Sequence, residues 1–236
     1  MDSVFPTVTG GYIARDAFYS LKASKPVAVG GFRLVFAHPV NPRFLIKVIR
    51  PDRIEQERRR GALSKAIRRY GHLIQFQREV SEQIAARAAD EVLPPYVQQI
   101  VGIVETDMGM GLVSKAVLSP DGQMALNLAD RLKAEGMTAE VHDALGKFEQ
   151  QILASNVAIG DMHPGNLVYG IQNDGQLGIT LVDGIGIKTL IPLYGISQVL
   201  NRRHKLKRLA VMWRQIERIL ESRRTLSRKT QNAAEP

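Results

Sequence analysis

Ile159-Gly-Asp-Met-His-Pro-Gly-Asn-Leu-Val-Tyr169, followed by Ile179-Thr-Leu-Val-Asp-Gly184, is the part of the chain that decides how the rest is read. Asp161 and Asn166 lie in a loop leaving a helix, and Pro164-Gly165 bends that loop so that both ends face one way. Asp183 closes an apolar strand, which aims its carboxylate outward from the strand end. A carboxylate within reach of a hydroxyl aligns it and takes its proton. An amide oxygen and a second carboxylate are the hard donors that a magnesium ion accepts. Asp161 is therefore a candidate catalytic base, and Asn166 and Asp183 are candidate metal ligands.

Working outward, Leu167-Val-Tyr169 and Gly178 to Val182 predict a hairpin closed around Asn173-Asp-Gly175. Upstream, Thr138 is an N-cap signal, and Val141, Leu145, Phe148 and Ile152 mark the buried face of a helix ending at Ser155-Asn156. Ser119-Pro-Asp-Gly122 breaks the pattern and is the expected boundary between two lobes. Before it, strands are expected at 27–36 (two, around a glycine turn), 44–49, 99–105 and 111–117, with Asp107-Met-Gly109 as a turn. Asp52 to Arg69 alternates in charge and suggests a solvated helix, and His72 to Ala89 has helical spacing through Leu73, Phe76, Val80 and Ile84. Residues before Lys25 show no strong pattern.

Lys47 lies in the middle of the apolar strand Phe44-Leu-Ile-Lys-Val-Ile49. A charge there requires a carboxylate, a phosphate or a path to water for its head group. Glu79 and Glu82 share a face of the following helix, and either is a possible partner. Ala28-Val-Gly-Gly-Phe-Arg-Leu-Val35 supplies glycines, Gly30 and Gly31, whose bare backbone can approach a phosphate.

These motifs, in this order, resemble the protein-kinase-like superfamily, and the loop around Asp161 resembles that of its aminoglycoside-phosphotransferase-like branch. The whole chain is similar to the PhoP regulatory network protein YrbL family, a small bacterial group of that superfamily. The resemblance covers roughly Lys25 to Leu190 and implies an α+β, two-lobed protein-kinase-like fold. It implies an antiparallel-sheet small lobe at 25–118 after an N-terminal extension at 1–24. A reduced, mainly helical large lobe at 119–195 and a basic C-terminal helix and tail at 196–236 would follow. It also implies ATP and Mg2+ as cofactors, Asp161, Lys47 and Glu79 as catalytic residues, and Gly30, Gly31, Lys47, Asn166 and Asp183 as nucleotide-binding residues. The placement of Glu79 as the partner of Lys47 comes from the similarity around Arg78-Glu-Val-Ser-Glu82. The implied activity is phosphoryl transfer from ATP to a small-molecule or protein hydroxyl that the sequence does not identify.

The chain departs from the superfamily pattern at several points. Ala28 and Arg33 replace the first and third glycines of the phosphate loop, and Ile159-Gly160 replaces the usual His-Arg or His-Gly before the catalytic Asp. His163 inside the loop suits either a hydrogen bond to loop backbone or a catalytic role. The residues after Gly184 are too few for an activation segment plus peptide-binding helices. The irregular phosphate loop keeps a nucleotide-binding regulatory pseudokinase open as a second reading.

With 236 residues and 44% apolar content, the chain supports one compact unit or two small lobes. Cysteine is absent, which excludes disulfides, thiol nucleophiles and Cys-ligated zinc. With no signal-peptide pattern and no long apolar run, the expectation is a soluble cytoplasmic protein without a transmembrane segment. Much of the net charge of +9 lies after Asn201, where eleven cations face three anions. Val199, Leu206, Leu209, Trp213, Ile216 and Leu220 suggest a buried helical stripe from Ile196 to about Leu226 with a basic back that would hold an anionic partner, nucleic acid or membrane surface. Arg223 to Pro236 has a disordered composition.

Overall fold

Alternation and short apolar runs in the first half of the chain build one six-stranded sheet. Its strands are β1 (Phe18–Tyr19), β2 (Ala28–Val29), β3 (Arg33–Ala37), β4 (Phe44–Ile49), β5 (Ile100–Thr106) and β6 (Gly109–Lys115). The spatial order is β1-β5-β6-β4-β3-β2. All pairings are antiparallel except β1 with β5. β4 is buried from Leu45 to Ile49, which is why it reads as an unbroken apolar run. The computed structural model describes residues 18–60, 69–90, 92–186 and 197–232.

Between β4 and β5 stand α1 (Pro51–Arg60), a 3-10 turn (Gly71–Leu73) and α2 (Ile74–Asp90). α2 rotates away from the expected register. Ile84 is 62% exposed, whereas Phe76, Glu79, Gln83 and Ala86 are buried. The inward face carries polar groups because the sheet offers them partners. Gln83 donates to the Gln98 carbonyl at 2.6 Å and accepts from the Ile100 amide at 3.0 Å.

The second lobe begins after a tight turn, with the Gly122 amide donating to the Ser119 carbonyl at 2.9 Å. It contains α3 (Leu128–Glu135), α4 (Ala139–Ala154), β7 (Leu167–Ile171), β8 (Leu177–Leu181) and α5 (Gln198–Asn232). The Asn127 and Thr138 side chains cap α3 and α4 by accepting from the Asp130 and Val141 amides. Leu132, Leu145, Phe148, Ile152, Met212 and Ile216 share one core with Tyr96 and Val97, which lead into β5. The Leu181 amide donates to the Tyr96 carbonyl at 2.7 Å, and the Gln98 amide to the Leu181 carbonyl at 3.1 Å, so the sheet and the β7–β8 hairpin are stitched directly together. The fold is thus α+β and two-lobed, with a cleft between sheet and hairpin.

Several expectations are corrected here. The sheet starts at Phe18, ahead of Lys25, because β1 docks on the free edge of β5. The end of α5 is helical through Asn232, not disordered from Arg223. Its buried face runs through Asn201, Lys205, Leu209, Met212 and Ile216, while Val199 and Leu206 are 63% and 47% exposed. Lys205, expected on the solvated back, is completely buried because it closes the end of α4. Its ammonium donates to the Ile152 and Ser155 carbonyls at 2.8 and 2.6 Å. These are carbonyls in the last turn of α4 and at its cap, where helices leave acceptors unsatisfied. Arg202, Arg214, Arg218 and Arg224 remain exposed as a basic back. Residues 1–17 of the expected extension, the rest of the charged stretch at 61–68, and the boundaries at Leu190, 195 and Ile196 lie outside the described residues. So do residues 233–236 of the tail.

Candidate functional site

The hairpin brings the separated motifs together. Its register pairs Leu167 with Leu181, and the Val182 amide donates to the Asn166 carbonyl at 2.9 Å. Asn166 and Asp183 are thereby held at the same open end. The loop bearing Asp161 is pinned to the same end, since the Gly184 carbonyl accepts from the Gly160 and Asp161 amides at 2.8 and 3.1 Å. Gly184 sits at φ +87°, and a Cβ there would collide with the Asp161 carbonyl. Only glycine allows this approach without strain.

Asp161 is exposed to the cleft, and one of its carboxylate oxygens lies 3.8 Å from His163 Nε2. His163 Nδ1 accepts from the Gly165 amide at 3.1 Å and caps the Pro164–Asn166 turn. That bond leaves Nε2 as the protonated nitrogen of a neutral ring, turned toward Asp161. His163 is thus first of all a loop-shaping residue.

Lys47 is buried in the sheet, and its ammonium donates to Gln98 Oε1 and to the Val182 carbonyl, both at 2.6 Å. Gln98 is fixed in turn by donating to the Lys115 carbonyl at 2.8 Å. The expected Lys47–Glu79 pair is not formed. Glu79 instead lies 2.7 Å from Arg33 Nη1, with both side chains almost wholly buried. The same nitrogen is 3.6 Å from Asp183 Oδ1. The Arg33–Glu79 contact is close but poorly aligned for a hydrogen bond, so it acts chiefly through charge. Arg33 also stacks over the Phe76 ring at 5.3 Å. Glu82 serves elsewhere, accepting from the Ala158 amide at 2.6 Å and tying α2 to the segment entering the Asp161 loop.

Four charges therefore meet: Arg33, Lys47, Glu79 and Asp183. Burial raises Glu79 to about 7, against the opposing pull of Arg33 and Lys47. Burial also works against ionisation of Asp183, yet Arg33, Lys47 and the adjacent hydrogen bonds outweigh it and hold that carboxyl below its usual range. Burial lowers Lys47, with Glu79 and Asp183 opposing. Two neighbouring carboxyls with shifts of opposite sign divide the labour, one prone to hold a proton and the other a persistent anion. Asp183, which is 39% exposed to the cleft, is the one suited to a metal ion.

Two cavities meet here. One of about 850 Å³ has Val35, Leu45, Val117, Met124, Leu126 and Val168 among its walls, together with Lys47 and Asp183. Its apolar walls suit a flat base. The other, of about 530 Å³, contains Asp161, His163 and Arg78. Both are bordered by Gly30, Arg33, Asn127, Gly165, Asn166 and Asp183. Gly31 lines only the second cavity. Gln98 and Asn127 were absent from the sequence-derived set of site residues, and Arg33, open there to a phosphate contact or a surface role, instead lies beside Glu79 and Asp183. The signal for Arg33 was its position in place of a loop glycine, whereas Gln98 and Asn127 carry no local signal.

The fold and its cleft define a two-lobed α+β protein. More narrowly, residues 19–217 match the family described as PhoP regulatory network protein YrbL, and the chain belongs to that family. It is 25% identical over 178 residues to YrbL of Escherichia coli (strain K12), covering 73% of this chain and 76% of that protein. YrbL of Shigella flexneri matches to the same extent. Among solved structures, it is similar to Rad53 1–466 in complex with AMP-PNP, with 17% identity and a TM-score of 0.47. That match covers 84% of this chain, which spans 47% of the Rad53 chain. Among the described residues, no helix is long and apolar enough to cross a membrane.

Proposed function

We propose that this protein transfers a phosphoryl group from ATP to a hydroxyl acceptor in a magnesium-dependent reaction. The observation that carries the reading is the meeting of two cavities at Asn166 and Asp183, with Asp161 in one and Lys47 in the other. The larger cavity would take the nucleotide, its base against the apolar walls and its phosphates toward Lys47 and the Gly30 turn. Asn166 and Asp183 would hold Mg2+, which neutralises phosphate charge when bound. The donor set fits that ion because Asp183 is kept ionised and Asn166 is locked beside it by the hairpin. Asp161 would align the acceptor hydroxyl and receive its proton. Gln98 and the Val182 carbonyl would hold Lys47 in place, doing the anchoring for which a carboxylate was expected.

A second reading, a nucleotide-binding regulatory pseudokinase, draws support from Arg33. It pairs with Glu79 through charge and places a cation beside the proposed metal ligand. Turnover separates the two readings. If the protein is an enzyme, Asp161→Asn lowers ATP consumption by roughly two orders of magnitude or more and leaves ATP affinity nearly unchanged. Undiminished turnover in the pure variant would overturn the assignment of Asp161. ATP binding without turnover in wild type would favour the pseudokinase.

A further inference from the structure

The cavity on the Asp161 side holds one cation that none of its wall carboxylates pairs. Its acidic members are Glu79, Asp161 and Asp183. Glu79 and Asp183 face Arg33, and Asp161 faces His163. The remaining cation in the wall is Arg78, half-buried on α2. Among the described residues, no carboxylate lies within ion-pair distance of it. The ten residues following Gly186, 187–196, and the segment 61–68 before α2 contain no Asp or Glu. Burial lowers the Arg78 pKa, and no carboxylate opposes that shift.

The base of this side chain is fixed. A Cβ at Gly186 would come within 3.1 Å of the Arg78 carbonyl and 3.2 Å of its Cβ, so α2 packs tightly on the turn after Asp183. Gln75, one turn earlier on α2, lines the same cavity and adds an amide. A partly desolvated guanidinium without a partner gains when an oxyanion enters, because its forked N–H groups match a phosphate or carboxylate.

We infer that this cavity is an anion-binding acceptor subsite. Arg78 would hold the phosphate or carboxylate group of a small hydroxyl compound while Asp161 receives the hydroxyl proton. The inference rests on the phosphotransferase reading and names its acceptor class. The acceptor oxygen forms a bond to the γ-phosphorus as the bond from that phosphorus to the β–γ bridging oxygen breaks. The proton passes to Asp161, and ADP leaves with the electron pair of the broken bond. A volume of about 530 Å³ suits a small molecule.

The test is a calorimetric titration of inorganic phosphate, and separately of acetate, into the full chain saturated with Mg2+ and a non-hydrolysable ATP analogue. Saturable binding of at least one anion is expected, and which one binds tells phosphate from carboxylate. Arg78→Gln should weaken it roughly tenfold or more without changing analogue affinity, and Arg78→Lys should retain part of it. Asp161→Asn should tighten it, since it removes a negative charge from the same cavity. That response would not arise from anions held on the basic back of α5. The inference is overturned if neither anion saturates below about 100 mM, or if Arg78→Gln binds as wild type does. Failure of the analogue to bind would count against the phosphotransferase reading. The same titrations without analogue would still decide the anion subsite.

Discussion

Arg33 stands where a phosphate-loop glycine was expected and reaches the centre of the site. Its loss would leave Glu79 buried without its nearest cation. Arg33→Met should therefore destabilise the protein by about 1–3 kcal/mol at neutral pH, less than the full cost of an unpaired buried charge because Glu79 keeps a proton up to about pH 7. Adding Glu79→Gln should restore most of that stability. Urea denaturation of both variants checks this, and equal instability of the single and double variants would dissociate Glu79 from Arg33. Glu79 also sets a pH dependence. The folded protein keeps its proton up to about pH 7, whereas the unfolded chain releases it near 4.5. The folded state therefore binds more protons across that window, and stability falls as pH rises through it. Asp183 acts in the opposite sense. Its depressed pKa contributes stability present above 3.8 and lost as pH falls below that value. Denaturation midpoints from pH 4.5 to 7 should decline in wild type and flatten in Glu79→Gln.

At the scale of elements, α4 and α5 show what sequence pattern can and cannot reveal. The α4 face of Val141, Leu145, Phe148 and Ile152 was legible because its interior is apolar and obeys the helical period. The inward faces of α2 and α5 were not, because Glu79, Gln83, Asn201 and Lys205 are buried by partners distant in sequence. Periodicity counts apolar residues and does not register a lysine that caps a neighbouring helix. Lys205 is the clearest case, its pKa lowered by burial to about 8 although Glu82 opposes the shift. Lys205→Ala should cost about 1–3 kcal/mol, because the Ile152 and Ser155 carbonyls lose their donor. Chemical denaturation measures that loss, and an unchanged midpoint would mean that water replaces the ammonium fully. The α3 helix, absent from the sequence reading, is announced only by the Asn127–Asp130 cap.

Across the whole molecule, the fold matters because it converts distance in sequence into proximity. The sheet supplies Lys47 and Arg33, α2 supplies Glu79, and the hairpin supplies Asn166 and Asp183. The Tyr96–Gln98 crossing locks the first group to the last through Leu181. Asp161, Asn166 and Asp183 could be nominated as candidates from the sequence because their spacing is local. The rerouted ion pair was not, since Arg33, Glu79 and Asp183 become neighbours only when both lobes close around them. In the proposed reaction, Asp183 holds a magnesium ion against nucleotide phosphates. The most direct measurement is the affinity of a non-hydrolysable ATP analogue with and without Mg2+, in wild type and in Asp183→Ala. Mg2+ should tighten binding in wild type by roughly tenfold or more, and the variant should lose this increment while still unfolding cooperatively. Equal magnesium-dependent tightening in the two proteins would contradict that role for Asp183.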